Sequence, residues 1–149
     1  KRSGIPVTID SRYQLGTFVG VSMVKPNEVE LETASGVSLA EPNGLERAAR
    51  TLQKRIRCDA VLVTRGRNGM SLFEKGSAPA HIAAHGNKEA VDVTGAGDTV
   101  IATFTAALAV GADPLDAARL ANVAGALVVQ KPGTATVPRE ELLAELLAP

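Results

Sequence analysis

The sequence predicts an α/β fold with a largely parallel sheet. Short, apolar, β-branched runs alternate with helical patterns through the first half, and the second half turns to Ala- and Leu-rich helices. The clearest strand, Ala60-Val-Leu-Val-Thr64, is apolar without alternation, as expected of a strand covered on both faces. No linker, repeat or low-complexity tract interrupts the 149 residues, so one domain is expected over 1–149.

The elements follow in order. Pro6–Asp10 and Val21–Val24 read as buried strands bounded by Gly4, Gly20 and Pro26. Asn27–Ser35 and Gly44–Ile56 read as helices. In the second, Leu45, Ala48, Ala49, Leu52 and Ile56 recur at helical spacing, and Arg47, Arg50, Lys54 and Arg55 fill the opposite face. An ordinary solvated face is expected there, with a phosphate patch as the alternative. After Ala60–Thr64, strands are expected at Met70–Glu74 and Ala80–Ala84, forming a hairpin or meander around Gly76-Ser77. Asp98–Val110, Pro114–Gln130 and Pro138–Leu147 complete the set as helices, the last with Glu140 and Glu141 in its first turn.

Composition removes several classes of function. Sixteen basic and sixteen acidic residues cancel, and three Phe, one Tyr and no Trp offer few stacking platforms, so nucleic acid is not an expected partner. The apolar stretches around Val100–Ala112 and Ala121–Val129 are too short to span a bilayer. A single cysteine, Cys58, and an opening without signal-peptide layout point to a cytoplasmic setting. His81 and His85 sit four apart in a probable strand and lack nearby acidic or cysteine partners, so no metal is expected on them. Neither a P-loop motif nor a Gly-x-Ser-x-Gly elbow occurs.

The chemistry-bearing segment is Asp92-Val-Thr-Gly-Ala-Gly-Asp98, which leads into a helix. Gly95, Ala96 and Gly97 leave backbone N–H groups unshielded at a helix N-terminus, an arrangement that binds an oxyanion. Asp98 beside such a hole would repel the anion, which makes sense for a general base acting on an attacking hydroxyl. The competing explanation makes Gly-Ala-Gly-Asp a helix N-cap, with Asp98 neutralising the dipole.

Four segments together, in this order, resemble the pfkB or ribokinase-like family of carbohydrate kinases. They are Lys25-Pro-Asn-Glu-Val-Glu30, Val63-Thr-Arg-Gly-Arg-Asn-Gly69, the Asp92–Asp98 segment, and Asn122 through Gly133–Pro138. Thr103, where the family usually carries Ala or Gly, departs mildly. The resemblance implies a three-layer ribokinase-like fold with a mostly parallel sheet. The chain is expected to be the C-terminal nucleotide-binding and catalytic portion, with the N-terminal half and lid absent. Exposed sheet edges left that way favour a homodimer.

The resemblance also assigns roles. Asp98 would be the general base, and Gly95, Ala96 and Gly97 the anion hole for the transferring phosphoryl. Lys25 would act as a mobile charge on ATP phosphates, while Thr64, Gly66, Gly69 and Asn122 would line the nucleotide pocket. Asn27 and Glu30 would organise Mg²⁺, mostly through water. Asp92, with the backbones of Thr94, Val128, Lys131 and Gly133, would be the positions for a monovalent cation such as K⁺; a lysine at 131 departs from that pattern. Blander readings stay open beside these: Asn27 with Glu30 as a capping box, and Thr64 as simply the last residue of its strand. The chain looks most like the kinase domains of bacterial heptose-phosphate enzymes, often fused to a nucleotidyltransferase, which phosphorylate the anomeric hydroxyl of D-glycero-D-manno-heptose 7-phosphate. Alternatives are ribokinase, fructokinase or adenosine kinase activity, or a nucleotide-binding fragment without catalysis.

Overall fold

The computed structural model describes residues 4–86 and 89–148. They fall into two compact units, Lys1–His81 and Ile82–Pro149. No linker separates them in sequence; the boundary lies within a strand.

The first unit is a five-stranded sheet in the order β1 (Thr8–Ile9), β2 (Met23–Val24), β3 (Ala60–Thr64), β4 (Met70–Glu74) and β5 (Ala80–Ile82). The β1–β2 and β2–β3 pairs are parallel and β3–β4 is antiparallel. Between β2 and β3 the chain crosses over through α1 (Glu28–Ser35) and α2 (Gly44–Ile56), the helical connection that parallel neighbours require. Val61 and Val63, two apart on β3, bury one face against Leu31 of α1 and Ala48, Leu52 and Ile56 of α2, with Val24 and Phe73 completing this core. Each of the larger side chains among them contributes roughly 1.5–3 kcal/mol by leaving water.

β1 and β2 are shorter than Pro6–Asp10 and Val21–Val24. Pro6 has no N–H to offer a ladder. The Val7 N–H goes to the Ser22 hydroxyl at 3.0 Å, while the Val7 carbonyl accepts from both Ser22 and Met23. The basic face of α2 corrects the solvated-face expectation. Arg50 donates to the carbonyls of Glu74 and Ser77, both at 2.6 Å, and so fastens the turn after β4. Arg55 donates to the carbonyls of Ala34 and Ser35 at the end of α1, where helical C=O groups lack intrahelical donors. Tertiary bonding to backbone therefore occupies two of the four cations.

The second unit holds α3 (Ala96–Ala109), α4 (Pro114–Val128) and α5 (Arg139–Leu146). Phe104 of α3 and Ala117, Ala121, Ala124 and Val128 of α4 are buried; small alanines let helix backbones approach closely. Asp113 caps α4 through the Leu115 N–H at 2.9 Å, with Pro114 at the first helical position. Among the described residues no helix is long and apolar enough to cross a membrane.

Candidate active-site clusters

In the first unit the candidate residues gather at the carboxyl ends of the parallel strands, the edge where open α/β sheets place ligands. Lys25 follows β2, and its N–H donates to Ile9 at 2.9 Å. Its ammonium lies 2.8 Å from Oδ2 of Asp10, and the side chain is only 4% exposed. Lys25 is thus a buried, paired charge, which corrects the expectation of a mobile one. Pro26 then accepts from the Thr64 N–H at 3.0 Å, so the ladder continues one step past β3 as an Asn27–Thr64 bridge.

Asn27 caps α1 reciprocally with Glu30. Its Oδ1 accepts from the Glu30 N–H at 2.8 Å, and its own N–H donates to Glu30 Oε2 at 2.9 Å. This box engages one carboxylate oxygen of Glu30 and leaves Oε1 outside it. Among the described residues no three His, Cys, Asp or Glu side chains form a metal cluster. One hard oxygen beside an exposed amide suits Mg²⁺ held chiefly by its own waters.

After Thr64 the chain makes a tight 3₁₀ turn, Gly66–Asn68, closed by the Arg65 N–H on the Gly69 carbonyl at 2.8 Å. Gly66 and Gly69 frame that turn. Arg65, which lies outside the residues that the sequence singles out for a role, donates to Glu28 Oε1 at 3.0 Å and to the Ser71 hydroxyl at 3.4 Å. Ser71 is fully buried and lies 2.8 Å from His81 Nδ1. No local pattern signals these partners, which lie up to 37 residues apart.

In the second unit Asp92 organises the turn before α3. Oδ1 accepts from the Thr94 N–H and Oδ2 from the Gly133 N–H, each at 2.9 Å. Donation from the Thr94 backbone, then the Thr94 hydroxyl, then the Gly133 backbone holds the Asp92 carboxyl below the ordinary aspartate range. One carboxylate thereby ties the glycine turn to the loop after α4, two motifs that are separate in sequence. Thr94 meets Asp92 through its N–H as a donor. Lys131 donates to the Thr136 carbonyl at 2.9 Å and to Glu141 Oε2 at 2.6 Å, within the stretch that the resemblance links to a monovalent cation.

Gly95 caps α3 at φ 77, a left-handed conformation that favours glycine, with no side-chain cap bond. The helix starts at Ala96, so Asp98 is its third residue and not its cap. Its carboxylate is exposed. The Ala96 N–H turns back to Val93 at 3.2 Å, and the Gly97 and Asp98 amides face the open end of the helix. Asn122 is 8% exposed and donates to the Ala83 carbonyl at 2.7 Å. That bond alone accounts for a buried amide in α4. His85 pairs with Glu145 at 2.8 Å.

The pfkB family carbohydrate kinase model matches residues 4–141. The chain belongs to the pfkB family of carbohydrate kinases. Among curated proteins, the bifunctional protein HldE of Methylococcus capsulatus is 45% identical over 95% of the chain, and that of Caulobacter sp. 46% identical over 95%. The chain spans 30% and 29% of their lengths. An Arabidopsis thaliana ribokinase solved with ribose and ATP superposes at TM-score 0.88, with 28% identity, over all of this chain and half of its own. A Thermotoga maritima ribokinase superposes at TM-score 0.76 with 30% identity, over 87% of this chain and 43% of its own. The mostly parallel sheet with its helices is therefore ribokinase-like, as the sequence predicts.

Proposed function

We propose that this pfkB-family chain carries the catalytic and nucleotide-binding part of an ATP-dependent sugar kinase. The acceptor is a hydroxyl of a sugar phosphate, with heptose 7-phosphate as the leading substrate; the similarity to HldE proteins over most of the chain supports that choice. What carries the reading is Asp98: an exposed carboxylate in the first turn of α3, beside the Gly95-Ala96-Gly97 amides.

In this mechanism Asp98 takes the proton of the acceptor hydroxyl as that oxygen attacks the γ-phosphoryl in line, and the bond to the β–γ bridging oxygen breaks so that ADP leaves. The N-terminal amides of α3 and its dipole accept the charge that spreads over the phosphoryl oxygens. Thr64, Gly66 and Gly69 serve the nucleotide. Asn27 and Glu30 would hold Mg²⁺ chiefly through its waters, and the ion would supply positive charge against the phosphates. Asp92 and Thr94 shape the glycine turn, where a monovalent cation would also bind.

Asp98→Asn in the full-length protein is expected to lower turnover by roughly 10²–10⁴-fold, the usual worth of general-base catalysis, with ATP affinity nearly unchanged. Comparable turnover in the variant would reject the base assignment. Assaying heptose 7-phosphate, ribose and fructose side by side separates the substrate readings.

A further inference from the structure

The Arg65 guanidinium joins two segments to which the proposed function assigns nucleotide and metal roles, and no role has been assigned to Arg65 itself. It sits directly after Thr64, and its backbone N–H closes the Gly66–Asn68 turn. Nε donates to Glu28 Oε1 at 3.0 Å in the first turn of α1, the helix that Asn27 and Glu30 begin. One terminal nitrogen reaches Ser71 Oγ at 3.4 Å on β4.

That hydroxyl is itself fixed. As it accepts from Arg65, its own proton can go to His81 Nδ1, 2.8 Å away on β5. Ser71 is wholly buried and cannot follow a displaced guanidinium, and His81 packs edge-on against Phe73 with ring centroids 6.3 Å apart. The rigid guanidinium holds two donating nitrogens at a fixed spacing, so it spans Glu28 and Ser71 better than the single nitrogen of an ammonium.

We propose that Arg65 is a positioning residue: it braces the Thr64–Gly69 nucleotide turn against the Asn27–Glu30 helix and works through Glu28 and Ser71 without touching the nucleotide. The inference rests on the proposed nucleotide role of that turn. As a half-exposed ion pair Arg65–Glu28 adds only modestly to stability; its value is geometric, because small misplacement of a binding loop costs much in rate.

The test compares Arg65→Ala, Arg65→Lys, Glu28→Gln and the Glu28→Gln/Arg65→Ala double variant in the full-length protein. Amide hydrogen exchange without nucleotide is followed at Thr64 and Arg65, whose N–H groups bond Pro26 and Gly69. A brace predicts faster exchange there in Arg65→Ala and in Glu28→Gln, with exchange in the centre of β3 unchanged. It also predicts an ATP KM raised roughly tenfold, sugar KM unmoved, partial recovery with lysine, and a double variant no worse than Arg65→Ala alone. Unchanged exchange at Thr64 and Arg65 overturns the proposal. So does an ATP KM that rises in Arg65→Ala but stays at the wild-type value in Glu28→Gln, since direct contact with the nucleotide would then be the cause. If the wild-type protein binds no nucleotide, the kinase reading fails, and the exchange data still decide the brace.

Discussion

At the scale of residues, charge in this molecule is spent on holding backbone. Asp92 accepts from Thr94 and Gly133; Arg50 and Arg55 donate to carbonyls at the end of a strand and of a helix. The depressed Asp92 carboxyl makes this testable by pH. A carboxyl whose folded value lies below its unfolded one, about 3.9, adds stability that is complete above the unfolded value. That stability is lost as pH falls through the folded value. Urea midpoints of the wild type and Asp92→Asn should therefore differ most at neutral pH and converge below about pH 4. A gap independent of pH would show that the charge of Asp92 is not what holds the turn.

At the scale of elements, the capping box of α1 raises a question of two roles for the same pair. Asn27→Ala should lower stability by about 1 kcal/mol in metal-free buffer, the usual cost of a lost N-cap. Asn27→Ser should restore most of it, because serine caps well. If Asn27→Ser recovers stability while the full-length kinase stays slow and needs more Mg²⁺, the asparagine serves the metal as well as the helix. Recovery of both would leave the cap as its whole purpose. Element boundaries show the same competition. α3 starts two residues before Asp98 because Gly95 adopts φ 77 and turns the chain into the helix early. β1 starts late because Pro6 has no N–H and the Val7 N–H goes to the Ser22 hydroxyl.

At the scale of the whole molecule, 16 positive and 16 negative residues leave no net charge at pH 7. Molecules of this 149-residue chain then have little mutual repulsion, so its solubility should pass through a minimum near neutrality and rise at pH 5.5 and pH 9. Turbidity of concentrated samples across that range measures it; a flat profile would mean that exposed apolar surface, not charge, governs association.

The sequence by itself determined the α/β class, the residues of α2, β3 and β4 to their ends, and the four segments that mark the pfkB family. Those features are legible because periodicity, caps and glycine turns act between residues a few positions apart. It also contained Asp98, though not whether the aspartate capped its helix. Only the tertiary structure decided that Lys25 is buried against Asp10, that Asp92 reaches Gly133, and that Arg65 stands between Glu28 and Ser71. Partners 15, 41 and 37 residues apart in the chain meet only when strands and helices pack. Such a meeting depends on the angle and register of whole elements, which no local pattern of side chains encodes.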